Sequence, residues 1–160
     1  MDLLIKQNLL LTIRALYFCV EEQWAILGKR HQISPAQQHI LFLLYSSNKK
    51  SLAPSELSDL GCWHISTVSR LLKPMELRGL IKISQDKRPK YKEVNLTPTG
   101  IQLIQELINS VGKMDSFPLN ISHLTNHEIE HFLECSQKIL DVNKSENFGN
   151  WYKQVKTGSY

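Results

Sequence analysis

A chain of 160 residues, 42% hydrophobic and 21% charged, has the length for one packed domain with an appended helical element and the composition of an ordered protein. A net charge of +4 and a pI near 9.0 admit nucleic acid as a partner without demanding it, so the placement of the charge decides. The three cysteines, Cys19, Cys62 and Cys135, lie far apart with no CxxC or Cys/His zinc spacing, and their odd number argues against a disulfide framework and suits a reducing cytoplasm.

The first predicted element is one long helix over residues 2–28. Leu3, Leu10, Ile13, Leu16, Tyr17, Val20, Trp24 and Leu27 recur at helical spacing. Leu4, Leu9, Leu11, Phe18 and Ile26 widen the apolar surface beyond one stripe, so the helix needs a second surface, on a partner subunit or on the chain's own C-terminal helices. Lys6, Gln7, Asn8 and Arg14 interrupt it, and no uninterrupted apolar run approaches the roughly 18 residues of a span. Neither signal peptide, anchor nor membrane role is expected. Gly28 is read as the end of this helix.

Ser34-Pro35-Ala36-Gln37 opens a second helix, with Ser as the cap, Pro at the first position and Gln three residues after the cap. Its continuously apolar 40–45 segment predicts a place in the core. Residues 46–51 read as a polar loop. Pro54 starts a short helix to Leu60, and Gly61-Cys62 turns the chain into a further helix. There Ile65, Val68, Leu72 and Met75 form one stripe. Ser66, Ser69, Arg70 and Lys73 fall opposite, with Thr67 at the edge. That side carries hydroxyls and cations but no acid, which suits phosphates and base edges. Two short helices joined by a tight turn, the second with a basic polar face, is a helix-turn-helix.

A short strand over 80–83, a loop over 85–92 and a returning strand over 93–96 predict a two-stranded wing. Its loop gathers Lys87, Arg88, Lys90 and Lys92, a charge concentration that a narrow minor groove attracts. Thr97-Pro98 starts a helix carrying Ile101, Leu103, Ile104, Leu107, Ile108 and Val111. Thr125 and Glu128 form a capping box for another helix that is expected to bury Ile129, Phe132, Leu133 and Ile139. Phe148, Trp151, Tyr152 and Val155 mark a last short amphipathic helix. The fold class expected is mainly α with a small two-stranded wing.

These motifs together resemble the MarR family of bacterial winged-helix transcription regulators. The likeness covers roughly residues 33–110. It is carried by Ile33-Ser34-Pro35-Ala36-Gln37, by Ser55-Glu56-Leu57 and by the run from Ser66 through Thr67, Val68, Ser69, Arg70 and Leu71 to Leu72. Glu76-Leu77-Arg78-Gly79-Leu80-Ile81, Asp86-Lys87-Arg88 and Leu96-Thr97-Pro98-Thr99-Gly100 complete it. The segment LGCWHIST is more faintly similar to the Hpr-type transition-state regulators of that family.

The resemblance implies a dimerisation helix over 1–30, a winged helix-turn-helix over 33–110 and C-terminal dimerisation helices over 111–160. It implies a cytoplasmic homodimeric repressor on a pseudo-palindromic operator, with helix 64–78 in the major groove and wing 85–92 in the minor groove of double-stranded DNA. His64, Ser66, Thr67, Ser69, Arg70, Lys73, Lys87, Arg88 and Lys90 are the expected DNA-binding residues. A small-molecule effector is a further partner the family implies, and no cofactor is expected. Two features depart from the family pattern. Pro74 lies within the recognition helix, where it should kink it, and the wing is slightly longer than usual, leaving Lys90 as the alternative to Arg88 in the minor groove.

Other functions weigh less. His123, His127, His131 and Cys135 are spaced by four, but His127 and His131 are expected on the wet side, and a metal site there lacks a fixed third ligand. Cys19, beside Glu21 and Glu22, is expected to be a buried structural cysteine, and Cys62 an inert turn residue. His64 and Ser66 are neighbours without a nucleophile elbow, a phosphate loop or a carboxylate pair, so no enzyme is expected. The remaining alternatives are a winged-helix module used for protein contacts, or a redox- or metal-responsive sensor of the same fold.

Overall fold

The computed structural model describes residues 1–85 and 92–158. The elements in order are α1 (Leu3–Lys29), α2 (Pro35–Ser46), β1 (Ser51–Leu52), α3 (Pro54–Gly61), α4 (Ile65–Leu77), β2 (Ile81–Gln85), β3 (Lys92–Leu96), α5 (Pro98–Val111), α6 (Asn126–Asn143) and α7 (Glu146–Lys156).

The start signals act as their chemistry requires. Ser34 Oγ accepts from the Gln37 N–H at 3.3 Å while the Gln37 side chain accepts from the Ser34 N–H at 3.0 Å. Thr125 and Glu128 repeat the exchange at α6, at 3.3 and 2.8 Å. Thr97 Oγ1 accepts from the Gly100 N–H at 3.1 Å and donates back to the Gly79 carbonyl at 2.6 Å, tying the start of α5 to the end of α4.

α2 is the centre of the core. Its Ile40, Leu41, Leu43 and Leu44 are wholly buried, and Leu57, Val68, Met75, Val94 and Leu107 from four other elements close around them. Burying each such side chain contributes about 1.5–3 kcal/mol. Phe148 of α7 belongs to the same core, with Trp151 and Tyr152 packed against it.

The sheet has three strands in the order β1-β3-β2, not two. β2 and β3 form the expected antiparallel hairpin, in register from Ile81↔Leu96 to Gln85↔Lys92. β1 adds Ser51↔Asn95 and Leu52↔Val94 on the other side of β3. Two residues are too few to show a period of two, so this strand was invisible inside what reads as a polar loop.

Gly28 does not end α1, which runs one residue further. It is buried where α1 crosses the α2 entry, and a Cβ there would stand 2.2 Å from both the Ile33 carbonyl and the Gln38 amide nitrogen. Its absent side chain permits close packing rather than a helix stop. Gly79, by contrast, has φ +68, and Leu80 N–H reaches back to the Met75 carbonyl at 3.0 Å, the left-handed closure of a helix C-terminus.

The long terminal helices depart most from expectation. In α1 only Leu27 and Gly28 are buried, and α6 buries no residue at all. Phe132, Leu133 and Ile139, expected to be buried, stand about half exposed, at 55%, 46% and 52%. Cys19 is likewise exposed rather than buried, because among the described residues nothing covers the face of α1 around it. Ile65, assigned to the inner stripe of α4, is exposed because it sits in the first turn, beyond the reach of the core.

Candidate nucleic-acid interface

α4 presents a solvent face without a carboxylate over 65–73. His64 is its N-cap: Nδ1 accepts from the Ser66 N–H at 3.3 Å and lies 2.8 Å from Ser66 Oγ. The imidazole therefore stands at the entrance of the helix, where it caps the Ser66 N–H while the His64 carbonyl accepts from the Thr67 N–H at 2.9 Å. Ser66, Ser69, Arg70 and Lys73 are exposed and Thr67 is half-buried. Ser69 Oγ donates to the Ile65 carbonyl at 3.1 Å, and Arg70 Nε to the Ser66 carbonyl at 3.3 Å. Hydroxyl and guanidinium are thus parked along the helix, each by a hydrogen bond it can exchange for a phosphate or a base edge.

Behind this face Val68, Leu72 and Met75 are locked in the core. Pro74 lies within α4, which the fold carries on to Leu77. The Arg70 carbonyl lacks its usual i+4 donor, since proline has no N–H. Anchors beyond the proline hold the end. Arg78 donates to the Gln32 and His31 carbonyls at 2.7 and 2.8 Å, and Glu76 accepts from the Ile83 N–H at 2.9 Å. Sequence reasoning missed both roles, because they join α4 to the α1–α2 turn, 46 residues away, and to β2.

The turn before α4 is equally fixed. Cys62 adopts the left-handed conformation at φ 61. Trp63 N–H donates to the Ser58 carbonyl at 3.0 Å, and the Ser58 hydroxyl donates to the Trp63 carbonyl at 2.6 Å. The Trp63 ring meets His39 edge-on, with centroids 5.5 Å apart. Burial pushes the His39 imidazole below its usual pKa and favours the neutral ring.

Lys87, Arg88 and Lys90 lie outside the described residues; β2 and β3 lead into and out of that segment. On α6, His127 and His131 stack with centroids 6.5 Å apart, and Cys135 Sγ lies 3.7 Å from His131 Nε2. Among the described residues no group of three or more His, Cys, Asp or Glu side chains converges to hold a metal ion.

The MarR family model matches residues 33–89, the span that contains α2 to α4 and enters the hairpin. The chain is 31% identical over 111 residues to the HTH-type transcriptional regulator Hpr of Bacillus licheniformis, covering 68% of this chain and 52% of that protein. It is 30% identical over 167 aligned residues to Hpr of Bacillus mycoides, covering 91% of this chain and 88% of that one. The chain belongs to the MarR family. It spans about half the length of the Hpr proteins of B. licheniformis and Bacillus pumilus, 52% and 51%. The MarR winged-helix architecture is also that of the Staphylococcus aureus MepR–DNA complex, with a TM-score of 0.73 and 22% identity over 83% of this chain and 96% of that one. In this MarR-family fold α3 and α4 are the helix-turn-helix and β2–β3 the wing hairpin, while β1 completes the sheet.

Proposed function

We propose that this protein is a sequence-specific DNA-binding transcriptional regulator, a cytoplasmic homodimeric repressor with no enzymatic activity. The observation that carries the reading is the α4 face: over 65–73 it exposes hydroxyls and cations with no carboxylate, backed by a buried apolar stripe. His64, Ser66, Thr67, Ser69, Arg70 and Lys73 contact the major groove. Lys87, Arg88 and Lys90 contact the minor groove and its phosphates.

The dimer rests on a second observation. Leu3, Leu10, Ile13 and Tyr17 of α1 and Phe132 and Leu133 of α6 are exposed by 46–66% in the single chain. Apolar patches of this extent mark a protein contact, and a second copy buries them on both sides of a two-fold axis. α1 also has the length and composition to cross a membrane, with a mean hydropathy of 1.4. Its buried end at Leu27 and Gly28, locked against α2, and Lys6 and Arg14 within it favour the protein partner.

An effector has an apolar cavity of about 490 Å³ between α1, α2 and α5, lined by Trp24, His39, Phe42, Leu107 and Phe117 among others. No cation lines it, so an uncharged aromatic compound fits its chemistry.

Selection of bound duplexes from a random pool at physiological salt tests the function. A pseudo-palindromic consensus is expected, with affinity falling steeply as salt rises. Binding that ignores both salt and sequence would leave a protein-contact module as the better reading.

A further inference from the structure

The C-terminal helix α7 is not arranged like its neighbour α6. α6 buries nothing, whereas α7 inserts Phe148 into the core of the helix-turn-helix domain. Polar ties from α7 and the residues that lead into it run to α2, the loop after α2, α3 and the turn that follows α3. Trp151 Nε1 donates to Ser46 Oγ at 3.0 Å, and Gln154 Nε2 to Asn48 Oδ1 at 2.9 Å. Lys144 Nζ reaches Cys62 Sγ at 2.8 Å. Ser145 Oγ donates to Asp59 Oδ2 at 2.7 Å, and Asn147 Nδ2 to the same oxygen at 3.2 Å.

Asp59 is the informative residue. A carboxylate near the C-terminus of α3 opposes the dipole of its own helix. The same carboxylate lies at the N-terminus of α7, against its cap Ser145, where the dipole and two donors favour it. Meanwhile the backbone carbonyl of Asp59 accepts from the Cys62 N–H at 3.3 Å, inside the turn that delivers His64 and α4. One residue therefore holds α7 with its side chain and the turn with its main chain.

We propose that α7 is part of the DNA-binding unit and that Asp59 is a positioning residue through which α7 sets the α3–α4 turn and hence the register of α4. The consequence for DNA rests on the function proposed above. Base-edge contacts are short-ranged and lost when α4 shifts, whereas attraction to phosphates survives a small shift. Loss of the tie therefore lowers specific binding and spares non-specific binding, a split that simple loss of folded protein does not produce.

The test uses the full chain with Asp59→Ala and Asp59→Asn, the latter keeping an acceptor for Ser145 and Asn147. Amide hydrogen exchange is followed in the DNA-free protein at residues 62–67 and at 103–107 of α5. Binding is titrated against a selected duplex and an unrelated duplex of equal length. In Asp59→Ala exchange at 62–67 should quicken by about tenfold with 103–107 unchanged, and the ratio of specific to non-specific affinity should fall by about tenfold. Asp59→Asn, which keeps the acceptor but not the charge, should recover part of both. Unchanged exchange at 62–67, or equal acceleration at 62–67 and 103–107, overturns the proposal. If exchange changes as expected but the wild-type chain binds no duplex, the coupling of α7 to the turn stands and the DNA-binding reading falls.

Discussion

At the scale of single residues, Arg70 tests the proposed major-groove contact. It is exposed on α4, one turn beyond Ser66, and its guanidinium matches the paired acceptors of a guanine edge. Arg70→Ala should weaken operator binding by about 1–3 kcal/mol and relax discrimination at one base position, read by titrating single-base operator variants. His39 offers a different test. Its folded pKa lies below the ordinary value of about 6.5, so near that pH the unfolded chain binds more protons than the folded one. Stability contributed by the neutral ring is present above the unfolded pKa and is lost as pH falls through it toward the folded value. The urea midpoint should therefore decline on acidification below about pH 6.5, and His39→Leu should flatten that decline. A slope unaffected by the substitution would assign the acid sensitivity to other groups.

Among the elements, α1 and α2 are joined where Gly28 leaves no room for a Cβ. Gly28→Ala forces the Ile33 carbonyl and the Gln38 side chain apart and should cost about 1–3 kcal/mol, against the gain expected from alanine at an unconstrained helix site. Chemical denaturation measures it, and a neutral or stabilising result would show that the two helices separate easily. α6 stands at the opposite extreme. It lacks a buried residue, so its reciprocal Thr125–Glu128 cap is a large share of what defines its start. Thr125→Ala should lower helical protection of the first turn of α6 and cost about 1 kcal/mol, with the fraying seen in amide exchange.

At the scale of the whole molecule, α1 and α6 expose apolar faces that nothing among the described residues covers, and the proposed dimer would bury them. Leu10→Lys together with Tyr17→Lys should convert a dimer to monomers in sedimentation and abolish high-affinity operator binding, since half-sites are then engaged singly. A variant that stays dimeric would remove α1 from the interface. Binding of the wild-type chain to anionic and neutral lipid vesicles, without dimer formation, would assign the same face to a membrane.

Much of this organisation was legible along the chain. The Ser34-Pro35, Thr97-Pro98 and Thr125–Glu128 starts were legible because capping is local chemistry, settled within four residues. The α4 face was legible because a period of 3.6 sorts Ser66, Ser69 and Arg70 from Val68, Leu72 and Met75 without reference to anything else. Family membership followed from the order of these local signals. Tertiary structure alone decided what depends on distant partners. Strand β1 exists only because β3 offers it a backbone ladder. Gly28 turned out to be a contact rather than a stop, and Arg78 an anchor on the α1–α2 turn. The apolar faces of α1 and α6 look alike in sequence to the face of α7, yet the former stay open and the latter closes on the core. Periodicity says that a face must be buried; only the fold says against what, because burial energy is non-directional and attaches to whichever surface the chain brings near.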